Sequence, residues 1–243
     1  MLENYVVIDL EMTGLNAKTD KILEVAAIRV RDGVECACFS AIVNPHAILS
    51  EKVIELTGIC QEQADNGKPL DETVQEFLSF LGEDMLVGQN IIFDYSFLKQ
   101  WAVNHKVTLE KQAVDTLKLA RKFLPVEQKK DLESLCTYFD ILRVNAHRAL
   151  DDARETMQIF EKMKELYADE GAEFFIPKPL LYKAKKQSPA TERQKQYLKS
   201  FAQYHGIELA EFSPTMTKSE ASRLTDKLIA QYGKMQSHPV SAE

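Results

Sequence analysis

The sequence lacks the features that mark a membrane protein, a secreted protein or a zinc protein. No apolar run approaches the roughly 20 residues needed to span a bilayer. The first residues lack a basic segment followed by an apolar stretch and a small-residue cleavage site, so we see no secretion signal. The cysteines Cys36, Cys38, Cys60 and Cys136 include one Cys-x-Cys pair without a matching second pair, a poor zinc pattern. We therefore expect reduced, packed thiols, a cytoplasmic location and no membrane partner.

Repeats and low-complexity tracts are also absent, and the composition is that of an ordinary globular protein. The 243 residues are 45% hydrophobic and 28% charged, which favours one sizeable domain with a small one, or two modest domains. Charge is uneven: residues 1–177 carry a net charge of −12, whereas residues 178–243 carry +5. This division is compatible with metal chemistry in the acidic part and phosphate contact in the basic part. A solvated basic surface would explain the second part equally well.

Hydrophobic periodicity predicts an α/β fold, with a mixed β-sheet flanked by helices. Apolar runs predict strands at 4–10, 22–30, 34–43 and 84–88, and Asp32-Gly33 predicts a hairpin turn between the second and third. Helical patterns cover 50–57, 71–81, 94–104, 131–139 and 149–168, with another helix ending near Phe123. The apolar face of the long helix 149–168 is predicted to hold Thr156, Ile159, Phe160, Met163 and Leu166.

The chain divides into a large first domain and a small helical module. We place the first domain at 1–170, a proline-containing linker at 171–190, the module at 191–235 and a disordered tail at 236–243. Thr191 with Gln194, and Thr217 with Glu220, have the capping-box spacing, which predicts the start of two helices in the module. A module this small is near the lower limit for independent stability.

Asp9 and Glu11 form the first candidate for chemistry. They lie two residues apart at the end of the first strand, where side chains alternate between faces, so both carboxylates project on the same face. Two neighbouring carboxylates in an apolar setting repel each other unless they are protonated or bind cations. Oxygen ligands of this kind suit Mg²⁺ or Mn²⁺. Taken alone, such a pair at a strand end is more often a solvated turn.

Two further acidic segments follow along the chain. Asp94 comes after an apolar run and is expected in the first turn of its helix, where an acid would also cap the helix or interact favourably with its dipole. His147 lies just before the long helix, and Asp151 and Asp152 lie in its first turn. The two aspartates point about 100° apart, and spacing does not choose between them. A local hydrogen bond between the histidine and an aspartate is the simpler interpretation of that segment.

Three segments together resemble a known family. VVIDLEMTGL, LVGQNIIFDYSFL and HRALDDARET are similar to the three motifs of the DEDDh-type 3′–5′ exonucleases, the DnaQ-like superfamily with a ribonuclease H-like fold. AIVNP, VIELTGI and the helix 71–81 also resemble the DNA polymerase III epsilon, or proofreading, branch, and the resemblance spans about residues 4–168. One departure is Gln89, where many family members have histidine.

The resemblance implies the roles of individual residues. Asp9, Glu11, Asp94 and Asp152 are the metal ligands by this match, which selects Asp152 over Asp151, and His147 is the general base. Two Mg²⁺ or Mn²⁺ ions would flank the scissile phosphate. A histidine titrates near neutral pH and is suited to accept the proton of the attacking water. The match also implies nucleotide contacts by Met12, Thr13, Leu15, Asn90 and Phe97, whose alternative roles are turn formation and core packing.

The implied activity is 3′–5′ hydrolysis of nucleotides from single-stranded or frayed 3′ ends of DNA, in proofreading or repair, with a polymerase or repair protein as a possible partner. An exoribonuclease or oligonucleotidase is the alternative, because DLEMTGL and HRALDD are also similar to oligoribonucleases. A non-catalytic binding module is a minor alternative. In the C-terminal module, Lys185, Lys186, Arg193, Lys195 and Lys199 could contact phosphates, or the module could dock a partner protein.

Overall fold

The computed structural model describes residues 2–143, 148–208 and 216–235. The chain forms two compact units, Met1–Ala184 and Lys185–Glu243. In the first unit the strands are β1 (Tyr5–Met12), β2 (Ile22–Arg31), β3 (Val34–Ile42), β4 (Leu86–Gly88), β5 (Gln112–Asp115) and β6 (Lys178–Pro179). Its helices are α1 (Glu51–Thr57), α2 (Gln61–Asp65), α3 (Leu70–Leu81), α4 (Ile92–His105), α5 (Thr116–Phe123), α6 (Leu132–Tyr138) and α7 (Ala149–Gly171).

The strands form one mixed sheet in the order β3-β2-β1-β4-β5-β6. β1, β2 and β3 pair antiparallel, β4 and β5 run parallel to β1, and β6 is antiparallel to β5. Asp32 and Gly33 both have positive φ, as a two-residue hairpin turn of this hand requires. The predicted α/β class, the mixed sheet and this hairpin are confirmed. The short α2, β5 and β6 were not predicted.

Helices cover both faces of the sheet and divide the core in two. On one face, Val6, Ile8 and Leu10 of β1 share a cluster with residues of α3 and α4, including Phe77 and Trp101. On the other face, the cluster holds Tyr5 and Val7 of β1 together with residues of α7. The alternation along β1 therefore assigns each of its residues to one of the two layers.

Two predictions about packing are wrong in part. Leu166 was expected on the inner face of α7, but its side chain is 54% exposed, whereas the next residue, Tyr167, packs against the core. The thiols were expected to be packed, but only Cys136 is buried, and Cys36, Cys38 and Cys60 are exposed. All four are free thiols. Within the described part of the chain, no helix has the length and apolar character needed to cross a membrane.

The segment expected as a linker contains packed structure in its first half. A 3-10 helix spans Ala172–Phe175, Phe175 is buried in the α7 layer, and β6 adds a strand to the sheet. Residues up to Ala184 thus belong to the first unit. The expected tail, 236–243, lies outside the described residues.

The second unit is a pair of helices, α8 (Glu192–His205) and α9 (Lys218–Tyr232). Both predicted capping boxes are present: Thr191 caps α8 with Gln194, and Thr217 caps α9 with Glu220. Leu198 and Phe201 of α8 pack with Leu228 of α9 in a small core of their own. Pro189 and Thr217 form a single antiparallel bridge just before the two helices.

We expect the α7 layer to dominate the stability of the first unit. Phe160 of α7 is fully buried and contacts the ring of Tyr5 edge-on, with 5.1 Å between centroids. Phe160→Ala should lower the free energy of unfolding by about 3–5 kcal/mol through lost burial and a cavity. Leu166→Ala on the same helix should change it by less than about 0.5 kcal/mol. Urea denaturation followed by circular dichroism measures both, and equal losses would contradict the assigned faces.

Candidate active site

Asp9 and Glu11 lie near the end of β1, on the face of the sheet that is turned towards α7. Tyr5 and Val7 pack into the α7 layer, so the period of two along β1 places Asp9 and Glu11 on that same face. Both side chains are partly buried. Their same-face arrangement, inferred from spacing, therefore follows the alternation of the strand.

Asp152 in the first turn of α7 meets this pair. One carboxylate oxygen from each of Asp9, Glu11 and Asp152 lies within 4.8 Å of the others, close enough to share a cation. Asp152 is buried, whereas its neighbour Asp151 forms an ion pair with Arg154, at 3.5 Å between Oδ1 and Nη1. The structure thus brings Asp152 to the strand carboxylates.

Asp94 lies on α4 and approaches the same strand, β1. It lies in the first turn of α4, is 5% exposed, and its Oδ1 accepts a hydrogen bond of 3.0 Å from the backbone N–H of Leu10. That contact places its carboxylate beside β1 between Asp9 and Glu11. Asp94 is not a member of the group of three whose oxygens converge within 4.8 Å.

Burial raises the pKa values of Asp9, Glu11 and Asp94, and repulsion from neighbouring carboxylates raises those of Asp9 and Glu11 further. Burial, followed by the charges of Asp94, Glu11 and Asp152, raises the pKa of Asp9 well above its ordinary value. Burial, then the charges of Asp152 and other carboxylates, raises the pKa of Glu11 to about 8. Burial raises the pKa of Asp94 to about 7, although the hydrogen bond from Leu10 opposes this. A cation that binds between the carboxylates would remove the cause of the repulsion.

The carboxylates fit divalent cations of the hard type. The donor atoms are all carboxylate oxygens, which suit Mg²⁺ or Mn²⁺ rather than a zinc site built from thiolates and imidazoles. Several negative charges held together in a partly buried place also lack full compensation from the protein itself. The donor set and its charge therefore match the predicted class of metal.

An ion pair that was not predicted fixes the start of α7 to the sheet. The carboxylate of Glu24 on β2 is 1% exposed and binds Arg148 through two hydrogen bonds, 2.9 Å to Nη2 and 3.2 Å to Nε. It also accepts the N–H of Ala149 at 3.2 Å. Glu24 is the cross-strand partner of Glu11, so this anchor lies directly beside the candidate metal ligands. A charged residue within the apolar run ILEVAAIRV was the signal that could have identified it.

His147, the predicted base, lies outside the described residues, as do Val144, Asn145 and Ala146. The residues on either side of this segment are described and both make ion pairs. Arg143 contacts Asp152 and Glu155, and Arg148 contacts Glu24. The chain is thus attached to the site at both ends of the segment that contains His147.

The residues expected to contact nucleotides occupy different environments. Leu15 is 85% exposed just beyond β1, Met12 packs partly against the core, and the hydroxyl of Thr13 accepts the N–H of Lys21 at 2.9 Å. Asn90 is exposed, with a positive φ of 55°. Phe97 is 4% exposed and packs edge-on against Phe93, in the core position that was its alternative.

Gln89, the departure from the family pattern, is bonded within the protein. Its amide nitrogen donates to the carbonyl of Lys130 at 2.7 Å, and its amide oxygen accepts from Thr116 at 2.6 Å. The next backbone N–H, that of Asn90, donates to Asp115 at 3.0 Å. These contacts hold the turn between β4 and α4, so Gln89 closes a turn and its polar atoms face other parts of the protein.

Three carboxylates converge from a mixed sheet and a helix on this α/β scaffold, with a fourth beside them, an arrangement that could hold the metal of a hydrolase. Comparison with known proteins identifies the family. The family model described as Exonuclease matches residues 6–160, and the chain belongs to this family. More particularly, it is a DnaQ-like exonuclease of the DEDDh type, an enzyme, as the sequence motifs predicted.

Relatives and solved structures agree with this identification. The chain is 37% identical to "DNA polymerase III PolC-type" of Clostridium perfringens over 67% of its length, and 37% identical to the Bacillus subtilis protein of the same name over 71%. In each case the match spans only 12% of the relative. The fold is shared with Exonuclease X in complex with 5′ overhanging duplex DNA (TM-score 0.55, 22% identity, 71% of this chain and 99% of that one). It is also shared with the nuclease domain of 3′hExo, a DEDDh family member, bound to rAMP (TM-score 0.59, 20% identity, 68% and 92%). The predicted ribonuclease H-like fold and exonuclease class are confirmed.

The raised pKa values predict how the metal-free protein responds to pH. Glu11 has a pKa of about 8 in the folded protein and about 4.5 when unfolded. The free energy of unfolding therefore falls as pH rises from about 4.5 through about 8, where the Glu11 carboxyl of the folded protein ionises. Glu11→Gln should therefore stabilise the protein in EDTA at pH 9 and have little effect at pH 5. The expected gain is about 2 kcal/mol after solvent screening, or roughly 4–8 °C in Tm.

Differential scanning calorimetry at the two pH values measures this, with Glu83→Gln, an exposed glutamate, as the control. A gain that is equal at both pH values, or a loss at pH 9, would contradict the assigned repulsion. Addition of Mg²⁺ should raise the Tm of the wild-type protein and raise that of Glu11→Gln less.

Proposed function

We propose that this exonuclease removes nucleotides from the 3′ ends of DNA with the help of Mg²⁺ or Mn²⁺, in a proofreading or repair role. The observation that carries the proposal is the convergence of Asp9, Glu11 and Asp152 within 4.8 Å in a chain of the exonuclease family. The direction and the preference for DNA are supported by the motifs and by the DNA polymerase names of the relatives at 37% identity.

Four acids would hold the cations. Asp9 interacts electrostatically with the other three acids, so it would be the ligand shared by the cations if two are bound. Glu11 and Asp152 would complete the ion on the side of the attacking water, and Asp94 would hold the other. When bound, the ions supply Lewis-acid stabilisation of the phosphate and lower the pKa of water.

His147 is proposed as the base that accepts the proton of the attacking water. In the sequence it lies one residue before Arg148, which is bonded to Glu24, and five residues before Asp152. A neutral imidazole can accept a proton at neutral pH and release it again to solvent.

The terminal nucleotide is proposed to lie against the surface beyond β1. Leu15 offers an exposed apolar side chain for a base or sugar, Met12 and Thr13 offer the adjoining backbone, and Asn90 offers an exposed amide. Phe97 would support this surface from the core rather than touch the base directly, because it is buried.

RNA is the second candidate substrate. One structure that shares the fold is described as 3′-end specific recognition of histone mRNA stem-loop by 3′-exonuclease, at 19% identity and a TM-score of 0.56. We favour DNA because the more similar relatives are DNA polymerases. A polymerase or replication partner, and with it a cytoplasmic location, belongs to the same proposal.

Asp152→Asn should lower the rate of nucleotide release by more than about 100-fold, because the loss of a ligand exceeds the effect of losing a residue that only supports one. Asp151→Asn is the matched control: it alters the neighbouring aspartate, which pairs with Arg154, and should retain most of the activity.

The assay follows 5′-labelled single-stranded DNA, a mismatched primer-template and an RNA of the same sequence, with Mg²⁺, with Mn²⁺ and with EDTA. Stepwise shortening of the DNA strand that stops in EDTA is expected. Faster shortening of the RNA would instead establish the second candidate. Undiminished activity in Asp152→Asn would remove Asp152 from the site.

The second unit is proposed as a separate module that adds contacts to the phosphate backbone. Residues 185–243 contain nine Lys and Arg against six Asp and Glu, whereas residues 1–184 have a net charge of −10. An acidic catalytic unit attracts a polyanion weakly, so a basic second unit would supply electrostatic attraction to the nucleic-acid backbone. Lys186, Arg193 and Lys199 are exposed, and Lys195 pairs with Glu192.

Lys186→Gln, Arg193→Gln and Lys199→Gln combined should weaken binding to single-stranded DNA and reduce the slope of log K against log salt by about 2, close to 0.7 for each lost phosphate contact. Fluorescence anisotropy at several salt concentrations, with Ca²⁺ replacing Mg²⁺, measures both. The control combines Lys52→Gln, Lys106→Gln and Lys162→Gln, three exposed lysines of the first unit. Equal affinity and slope for both triple variants would favour partner docking as the role of the module.

A further inference from the structure

Arg143 bridges two carboxylates of α7, one of which belongs to the candidate metal site. Its Nη2 donates to Oδ1 of Asp152 at 2.9 Å, and its Nε donates to Oε2 of Glu155 at 2.8 Å. The two acids are three residues apart on the helix and therefore neighbours on its surface. A single guanidinium thus connects Asp152 to a second acid that lies outside the group of three.

Glu155 is suited to anchor the guanidinium. Its side chain is almost fully buried, and its other described contact is with the thiol of Cys136, at 3.7 Å. Oε1 of Glu155 is buried and has no hydrogen-bond partner in the described part of the structure. A carboxylate in this position is stabilised by its ion pair with Arg143, and removing either partner alone would leave a buried charge.

The geometry of arginine gives this pair a directional role. The planar guanidinium carries its donors in a rigid fork, so once Nε is held by Glu155 the direction of Nη2 is also set. A carboxylate that binds a metal is commonly oriented by such an outside donor, and loss of the donor typically lowers metal affinity 10–100-fold. Arg143 is such a donor to the carboxylate of Asp152.

We propose that Arg143 is a positioning residue for Asp152, anchored by Glu155, which holds the Asp152 carboxylate towards Asp9 and Glu11 and so sets the metal affinity of the site. This rests on the proposed function, because it takes Asp152 as a metal ligand. Arg143 also begins the segment that leads to His147, so one side chain joins that segment to α7.

The opposite effect is physically possible and can be measured. A guanidinium that merely competes with cations for Asp152 would weaken metal binding, and its removal would tighten it. An orienting guanidinium predicts the reverse. The sign of the change in metal affinity therefore distinguishes the two roles.

The test is calorimetric titration of Mn²⁺ into the full-length protein, wild type and variants, without nucleic acid. Arg143→Gln should weaken Mn²⁺ binding about 10–100-fold. Arg143→Lys keeps the charge without the fork and should recover only part of this loss. Arg154→Gln is the matched control, because Arg154 lies on α7 and pairs with Glu35, at 3.1 Å, and with Asp151 rather than Asp152. This variant should bind Mn²⁺ as the wild type does.

Kinetics provide a second readout. At limiting Mn²⁺, Arg143→Gln should lower kcat, with recovery at high Mn²⁺, while the KM for the DNA strand stays within about twofold. Glu155→Gln removes the anchor without leaving an unpaired carboxylate and should also weaken Mn²⁺ binding, which keeps the test available if Arg143→Gln fails to fold.

Three results would overturn the proposal: tighter Mn²⁺ binding by Arg143→Gln, unchanged binding by folded Arg143→Gln and Glu155→Gln, or an equal loss in Arg154→Gln. Failure of the proposed function has a different signature, since wild-type protein would then neither bind Mn²⁺ through Asp152 nor shorten DNA. Asp152→Asn in the same titration separates these two failures, because it weakens Mn²⁺ binding only if Asp152 is a metal ligand.

Discussion

The repulsion among buried and partly buried carboxylates is the constraint on which this structure depends. Asp9, Glu11, Asp94 and Asp152 are brought together from one strand and two helices. Burial raises the pKa of the first three, and the charges of the other acids raise it further for Asp9 and Glu11. A fold that only maximised its own stability would not assemble such a group. The stability lost through this repulsion is consistent with a site whose carboxylates are arranged to bind cations.

The rest of the first unit maintains that arrangement against the repulsion. The alternation of β1 sends Asp9 and Glu11 towards α7 while its other side chains enter the core. Glu24 fixes the start of α7 through Arg148, and Glu155 fixes Arg143, which contacts Asp152. Two buried carboxylates outside the site thus hold arginines at both ends of the segment that contains His147.

Much of the fold was predictable because its signals are local. Apolar runs, the Asp32-Gly33 turn and the two capping boxes each specify structure within a few residues, and all were present. Leu166 was misplaced because Tyr167, four residues after the buried Met163, takes the inward position on the next turn of α7. The three exposed thiols show that an apolar neighbourhood in sequence does not ensure burial on an edge strand or at a helix start.

The candidate site was predictable only in part. Same-face placement of Asp9 and Glu11 follows from strand geometry, but the choice of Asp152 over Asp151 needed the family motifs. Glu24, Arg143 and Arg148 were not identified, because their partners are distant in sequence and no local pattern reports an ion pair between β2 and α7. Anomalous X-ray diffraction from crystals soaked in Mn²⁺ tests the central claim most directly. A manganese peak is expected within about 2.0–2.3 Å of carboxylate oxygens of Asp9, Glu11 and Asp152. A peak elsewhere, or none at this group, would contradict a metal site there.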